Sequence, residues 1–350
     1  MASFKTLQIK HIRRETSKAV SLCFDVPKPL EAQYRFEAGQ YLTLKAVIDG
    51  EEVRRDYSIC SSPDSGELTV TVKEIPNGLF SSYANRSLAV GDAVEVAPPK
   101  GRFVLNKTHP PETIVGFAAG SGITPIMSHL KTTLETNTFQ KFVLIYGNKS
   151  PKETIFYDEI LALKKQYSSR FEVQFLFSQS HDDTALFGRI DRGNTTYILK
   201  QNTALLRSST FYLCGPEGMI QTVQEVLLEN GVSRENILFE LFSSKQITSE
   251  PISSTKQGKI SVTLLVDDDT ESFEMESDKT ILEAALNQNI DVPYSCQGGV
   301  CSSCICRITE GSAEMRQNSV LTDSEVAEGL ILSCQAVPTS SKIHVDFDDI

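Results

Sequence analysis

Cys296, Cys301 and Cys304 lie in "PYSCQGGVCSSC", and Cys334 follows in "LILSCQAVP" after 29 intervening residues. Half of the chain's eight cysteines thus form a C-x4-C-x2-C loop plus one distant partner. If four thiolates are to converge, three must come from one tight turn. The fourth must be delivered by a segment folded back over it. This requirement fixes the local fold before any helix or strand is assigned.

The start, "MASFKTLQIKHIRRET", has no apolar core of the kind a signal peptide needs. The expected compartment is therefore cytoplasmic, where clustered cysteines act as metal ligands more readily than as disulfides. The spacing is the one that holds a plant-type [2Fe–2S] cluster. Gly298 and Gly299 would let the backbone wrap closely and turn amides toward the sulfurs, with Ser302 and Ser303 adding donors. The rival is structural zinc, but such sites usually pair two short Cys-x2-Cys knuckles. Cys306, two residues past the loop, reads as a small buried side chain.

Upstream, the texture changes twice. Before residue 110, short alternating runs such as "AVSLCFDV", "QYLTLKAVI", "ELTVTVKEI" and "DAVEVAPP" suggest a small antiparallel β-barrel. Between residues 110 and 242, apolar runs such as "ETIVGFAAG" and "KFVLIYGN" alternate with helix-like segments, implying a Rossmann-like α/β sheet. "SSKQITSEP", opening the stretch 243–257, reads as a linker. Residues 258–350 read as a small α+β unit: a hairpin, the helix "TILEAALNQN", the cysteine loop and a closing strand "KIHVDF". The expected domains are 1–109, 110–242 and 258–350.

Charge follows the same division. Residues 258–350 carry 17 acidic and 5 basic side chains, whereas residues 1–257 carry 28 and 29. No basic stripe is available to neutralise phosphates, which argues against nucleic acid as partner. The apolar stretch "TIVGFAAGSGITPIM" is too short and glycine-broken to cross a bilayer. An acidic module does suit docking onto a basic protein surface, although solubility alone also accounts for it.

Three motifs in the first 242 residues carry chemistry. In "RRDYSICSSP", Arg55, Tyr57 and Ser58 offer a cation, a flat ring and a hydroxyl. In "NGLFSSYANR", Gly78 with Ser81 and Ser82 opens a helix whose free amides attract phosphate. "GFAAGSGITPIMS" places Gly120, Gly122, Thr124 and Pro125 between a strand and a helix, the setting of a glycine-rich phosphate turn. Pro125 suits a first helical turn. Taken alone, Tyr57 is also a plausible core tyrosine and Cys214, in "YLCGPEGM", an inert core thiol.

Together these segments resemble the ferredoxin–NADP⁺ reductase superfamily, with residues 258–350 resembling a β-grasp plant-type ferredoxin. The R-x-Y-S tetrapeptide, the G-x-G-x-x-P turn and the C-G-P of Cys214, Gly215 and Pro216 match its motifs. The resemblance implies FAD rather than FMN, with Tyr57 stacked on the isoalloxazine, Ser58 near N5 and Arg55 on the pyrophosphate. It implies Thr124 and Cys214 at the nicotinamide, and Glu240 and Phe242 of "FELF" beside the flavin. It also implies Cys296, Cys301, Cys304 and Cys334 as cluster ligands, with Gln297 where ferredoxins often carry arginine. Lys149, Ser178 and Arg189 follow successive strands, where a 2′-phosphate would want cations. They favour NADPH and leave NADH open.

A hydride brings two electrons together, whereas such a cluster takes one, so a flavin must stand between them. The expected route is NAD(P)H, FAD, [2Fe–2S], then the oxygenase component of a multicomponent monooxygenase. Across nearly the whole chain the resemblance is to reductase subunits of such systems, most of all those of phenylacetyl-CoA epoxidases. Other ring-hydroxylating oxygenases or a hybrid-cluster protein remain open as acceptors. A subunit that only binds and carries electrons, without oxidising NAD(P)H, remains open as a different class.

Overall fold

The computed structural model describes residues 4–106, 110–136, 139–242 and 259–350. The expected linker, 243–257, lies outside the described residues. Contacts divide the chain into two compact units: Lys5–Phe242 and the C-terminal segment.

The first unit opens with six antiparallel strands: β1 (Lys5–Thr16), β2 (Ala19–Asp25), β3 (Tyr41–Ile48), β4 (Glu51–Ser58), β5 (Leu68–Lys73) and β6 (Ala93–Val96). Their order is β4-β3-β6-β1-β2-β5. A bridge from Ile59, just past β4, to Val70 in β5 joins the two outer strands and closes the barrel. The β3–β4 hairpin turns on Asp49-Gly50, both at positive φ, the pair that a two-residue turn of this hand demands. Leu7, Val20, Leu22, Leu42, Leu44, Val70 and Val72 fill the interior. Helix α1 (Leu79–Arg86) follows β5 and puts Phe80 into the same core.

A parallel sheet follows, made of β7 (Thr113–Ala119), β8 (Lys141–Asn148), β9 (Phe171–Phe177), β10 (Leu186–Phe187), β11 (Ser209–Cys214) and β12 (Ile237–Glu240). Helices α2 (Ile123–Thr136), α3 (Tyr157–Gln166), α4 (Arg192–Gln201), α5 (Leu205–Ser208) and α6 (Glu217–Glu229) connect them. The order β10-β9-β8-β7-β11-β12 reverses direction between β7 and β11. Such a switch point opens a crevice at the carboxyl ends of the strands. Gly116, within β7, allows α2 to pack closely, because a Cβ there would stand 2.7 Å from Ile126 Cγ2.

Barrel and sheet pack as one unit because their seam is bonded as well as apolar. Ser128 Oγ donates to the Ser61 carbonyl at 2.7 Å, and Tyr212 OH donates to that of Val104 at 3.2 Å. His129, fully buried, meets the Phe103 carbonyl at 2.8 Å, and burial holds its imidazole down at about 4, hence neutral.

The C-terminal unit has a five-stranded sheet of order β14-β13-β19-β15-β17: β13 (Lys259–Val266), β14 (Asp269–Glu276), β15 (Ile305–Glu310), β17 (Leu330–Leu332) and β19 (Lys342–Asp346). The small pair β16 (Ala313–Met315) and β18 (Ala336–Pro338) stands beside it. Helix α7 (Ile281–Asn287) contributes Ile281, Leu282, Ala284 and Ala285 to the core. It starts at a capping box in which Thr280 and Glu283 satisfy each other's amides. Helix α8 (Asp323–Ala327) repeats the device with Thr322 and Glu325. A helix crossing a mixed sheet whose first and last strands run parallel is the β-grasp arrangement expected.

Candidate electron-transfer site

Ser58, Cys214 and Glu240 lie far apart in sequence and meet at the seam. Ser58 ends β4, and its hydroxyl donates to Glu240 Oε2 at 3.0 Å. Glu240 ends β12, opposite Cys214 in the parallel register. Burial pushes the Glu240 carboxyl up to about 8, the Ser58 hydrogen bond works against it, and Asp56 adds a smaller upward push. The Cys214 thiol is fully buried, which drives it well above the ordinary range, with Glu240 adding to the effect. Burial thus favours the neutral thiol, which packs against the glycine turn. Phe242, two residues past Glu240, remains exposed.

On β4, Arg55 and Tyr57 project to one face and Ser58 to the other, as strand alternation requires. The Tyr57 ring lies 5.5 Å from that of Phe80 on α1, so the two motifs expected at the flavin are neighbours. Arg55 is exposed, with Nη1 donating to the Arg54 carbonyl at 2.6 Å. Gly78 caps α1, and a side chain there would collide with the Ser81 hydroxyl. The Ser81 hydroxyl donates to the Gly78 carbonyl at 3.2 Å and accepts from the Ile75 amide at 3.3 Å. It therefore shapes the turn, while Ser82 reaches Glu74 at 3.4 Å. The open turn and first-turn amides fit a diphosphate.

The glycine turn sits at the switch point. Gly120 has φ +56, and Gly122 packs so tightly on β11 that a Cβ would run into the Cys214 carbonyl. Gly215 is held likewise, with Ala119 N 3.2 Å from a Cβ placed there. Thr124 is buried and donates to the Ser121 carbonyl at 3.1 Å. Pro125 lies in the first turn of α2, and Pro216 is the residue before α6. Lys73 completes the turn, with Nζ 3.3 Å from the position of a Gly120 Cβ. It is half-buried, and burial lowers its pKa, Glu153 partly offsetting this while Lys149 and Lys18 reinforce it. A cation held in this way against a glycine turn fits a pyrophosphate. No motif marks Lys73, which ends barrel strand β5 and precedes Gly120 by 47 positions in the chain.

Further along the same sheet edge, the Ser178 amide donates to the Asn148 carbonyl at 3.0 Å, bringing the ends of β8 and β9 together. Lys149, exposed, stands 4.0 Å from Glu153. Asn148 Nδ2 is buried without a partner among the described residues, an unfilled donor beside Lys149. Arg189 is exposed. Between Ser178 and Arg189, the rings of His181 and Phe187 stack at 4.4 Å and 9°, both exposed. This flat surface is also absent from the motif reading, because no spacing rule links the two residues.

In the C-terminal unit the four thiols form two pairs. Cys304 Sγ lies 3.3 Å from Cys334 Sγ, and Cys296 is hydrogen-bonded to Cys301. The pairing is two plus two, an arrangement that fits a two-iron cluster. The Cys301 thiol and the amides of Gly298, Val300 and Cys301 bring Cys296 down to about 6 against the effect of burial. The thiol of Cys304 and the amide of Gly299 likewise lower Cys334. The thiol-to-thiol bonds would be lost when all four ionise, as the raised Cys304 shows, whereas the amides of Gly298, Val300, Cys301 and Gly299 stay aimed at sulfur. The left-handed backbone positions are Gln297 (φ +52) and Gly299 (φ +70), not Gly298, so Gln297 carries part of the wrap expected of the two glycines. Cys306 is buried on β15, its thiol pointing to the Ile331 carbonyl at 3.9 Å.

A closed barrel with a flavin-type tyrosine, a sheet with a dinucleotide turn at its switch point and a β-grasp unit with paired thiols define an NAD(P)H-dependent flavin and iron–sulfur oxidoreductase. Family models agree segment by segment: an oxidoreductase FAD-binding domain over residues 6–105, an oxidoreductase NAD-binding domain over 117–225 and a 2Fe-2S iron-sulfur cluster binding domain over 264–339. One of the subunits of 1,2-phenylacetyl-CoA epoxidase from Escherichia coli (strain K12) is 38% identical over 99% of both chains. The ferredoxin reductase component of 3-ketosteroid-9-alpha-monooxygenase from Rhodococcus rhodochrous is 33% identical, over 97% of this chain and 96% of that one. Phthalate dioxygenase reductase has a solved structure that aligns with a TM-score of 0.62 at 25% identity, covering 99% of this chain and 98% of its own. The chain belongs to the family of reductase components of multicomponent oxygenases, which carry electrons from NAD(P)H through FAD to a [2Fe–2S] cluster. No helix among the described residues is long and apolar enough to cross a membrane.

Proposed function

We propose that this chain is the cytoplasmic, NADPH-oxidising reductase of a phenylacetyl-CoA epoxidase-type system, with domains 1–109, 110–242 and 258–350 and a linker at 243–257. The observation that carries the site assignment is the line Ser58–Glu240–Cys214 at the seam, with the Gly120 turn opening beside it. The 38% identity to an epoxidase subunit along the full chain supports this choice of acceptor.

In this reading, Tyr57 stacks on the flavin, Arg55 and the Gly78–Ser82 turn hold its diphosphate, and Phe242 covers an edge. Lys73 and the amides around Gly120 and Gly122 hold the dinucleotide pyrophosphate. The His181–Phe187 surface takes the adenine. Lys149, Ser178 and Arg189 receive a 2′-phosphate, with Lys149 turning from Glu153, 4.0 Å away, to the ligand. Thr124 and Gly215-Pro216 shape the nicotinamide pocket, and the buried Cys214 wall keeps water out. Ser58 and Glu240 hold a hydrogen-bonded proton at the flavin edge. Flavin, when bound, supplies the chemistry that splits a two-electron donor into single electrons. Cys296, Cys301, Cys304 and Cys334 would hold the [2Fe–2S] cluster, which would take up single electrons.

The test is anaerobic reduction of the purified holoprotein by NADPH and NADH, followed by turnover with the epoxidase oxygenase component. NADPH preference and stimulated NADPH consumption are the expected results. Preference for NADH would overturn the cation assignment, and stimulation only by another ring-hydroxylating oxygenase would overturn the acceptor.

A further inference from the structure

Gln335 directly follows the fourth cysteine, and its side chain folds back over the three-cysteine loop. Nε2 donates to the Gln297 carbonyl at 2.9 Å and to Cys334 Sγ at 3.7 Å. A primary amide has two N–H groups, so each acceptor takes one. Only this orientation works, because the reversed amide would set its oxygen against the oxygen of Gln297. The stem is fixed as well: Cγ lies 3.0 Å from the position of a Gly299 Cβ, so a side chain at 299 would crowd it. The Gln335 backbone is tied at both ends, its amide to the Leu332 carbonyl at 2.9 Å and its carbonyl to the Arg316 amide at 3.0 Å.

One half-buried side chain therefore joins the two segments that must supply the ligands. It grips the loop at Gln297, whose left-handed backbone (φ +52) is uncommon for a residue with a side chain. It also places a donor on a ligand sulfur. Hydrogen bonds to ligand sulfur are among the main determinants of an iron–sulfur potential. When one electron enters the cluster, no bond is made or broken, but negative charge on the sulfurs grows. A donor held there favours the reduced form.

We propose that Gln335 is a positioning residue that raises the reduction potential of the cluster by latching the Gln297 carbonyl and the Cys334 sulfur together. This rests on the four cysteines being the cluster ligands. The consequence is functional: the latch makes the cluster a better acceptor for electrons leaving the flavin. It works through one removable side chain, leaving the backbone amides of the loop in place.

The experiment is a potentiometric titration of the full-length holoprotein, read by electron paramagnetic resonance, for the parent chain, Gln335→Met and Gln335→Glu. Methionine keeps the stem against Gly299 and removes both donors. Glutamate keeps the shape and replaces the donors with acceptor oxygens. Both variants are expected to have a lower midpoint potential and altered g-values, with the larger drop for Gln335→Glu. Should Gln335→Met lose iron, Gln335→Asn, an amide too short to reach both acceptors, gives the same reading. A variant that retains its iron and acid-labile sulfide yet titrates at the parent's potential overturns the proposal alone. A parent chain without iron and sulfide overturns the ligand assignment and the proposal with it.

Discussion

The hydroxyl of Ser58 donates to the carboxyl of Glu240 across 182 positions of sequence, at 3.0 Å. This bond ties the last residue of a barrel strand to the last residue of the parallel sheet, at the point where Cys214 closes the wall. It also sets the proton inventory of the seam. Burial raises Glu240 from 4.5 to about 8. Below 4.5 the carboxyl is protonated in both folded and unfolded chain, and its contribution to stability is fully present. Between 4.5 and about 8 the unfolded chain has lost the proton that the folded chain keeps, so stability falls as pH rises. Denaturant unfolding of the flavin-free protein at pH 5 and pH 9 is expected to show this loss. Glu240→Gln, which cannot ionise, is expected to flatten it, and Ser58→Ala to move the inflection upward. If wild type and Glu240→Gln track each other across that window, another group is titrating.

Gly122 is expected to tolerate no side chain. A Cβ there meets the carbonyl of Cys214 and stands 2.8 Å from the amide of Gly215, and neither backbone group can swing aside as a side chain would. Gly122→Ala forces β7 and β11 apart at the switch point, with a cost of about 1–3 kcal/mol by analogy with overpacked cores. A lowered urea midpoint together with weakened nucleotide binding is the expected result. Gly218→Ala, in α6 where a Cβ meets nothing within 4 Å, is the control, expected to leave nucleotide binding unchanged and the urea midpoint level or slightly raised.

Much of this arrangement is legible in the chain because the reasons for it are local. The thiol spacing and the apolar run of β7 each follow from a few neighbouring residues. Strand β1 is not legible. Leu7 and Ile9 face the core, but the pairing with β2 shifts register between Ile9 and His11, and the next apolar residue, Ile12, falls out of phase. A bulge hides alternation from any period-two reading. Lys73 and the His181–Phe187 stack are hidden for another reason: tertiary packing, not spacing, brings Lys73 to the Gly120 turn and the two rings together. Gln335 escapes notice beside the cysteine it serves, since a glutamine after a ligand has no meaning until its amide is seen to fold back.

Lys73 gives a prediction with an electrostatic signature. Its ammonium lies against the Gly120 turn and is already partly desolvated, so a bound pyrophosphate would meet it with little competition from water. Lys73→Met is expected to raise the Kd for NADP⁺ by roughly 10- to 150-fold, as the loss of a charged hydrogen bond worth roughly 1.5–3 kcal/mol implies. The salt dependence of binding is expected to become shallower. Equal affinity and an equal salt slope in wild type and variant would remove Lys73 from the site. Flavin content, measured alongside, separates a binding defect from a disturbed barrel.

The paired thiols predict a separation of activities. Cys304 is buried 3.3 Å from Cys334, and on the proposed ligand assignment removing either would leave one iron short of a ligand. Cys304→Ala is expected to abolish the cluster's visible absorption and paramagnetic signal. The barrel and parallel sheet form a compact unit with its own cores, so flavin binding and NADPH oxidation with ferricyanide are expected to survive. Ferricyanide can draw electrons from the flavin directly, whereas an oxygenase partner requires the cluster. Transfer to the partner is therefore expected to fall to background while ferricyanide turnover stays within about twofold of wild type, a difference of ~0.4 kcal/mol in barrier. Loss of both activities together would mean that the cluster unit supports the flavin half, and partner transfer that persisted without iron would place the exit for electrons at the flavin.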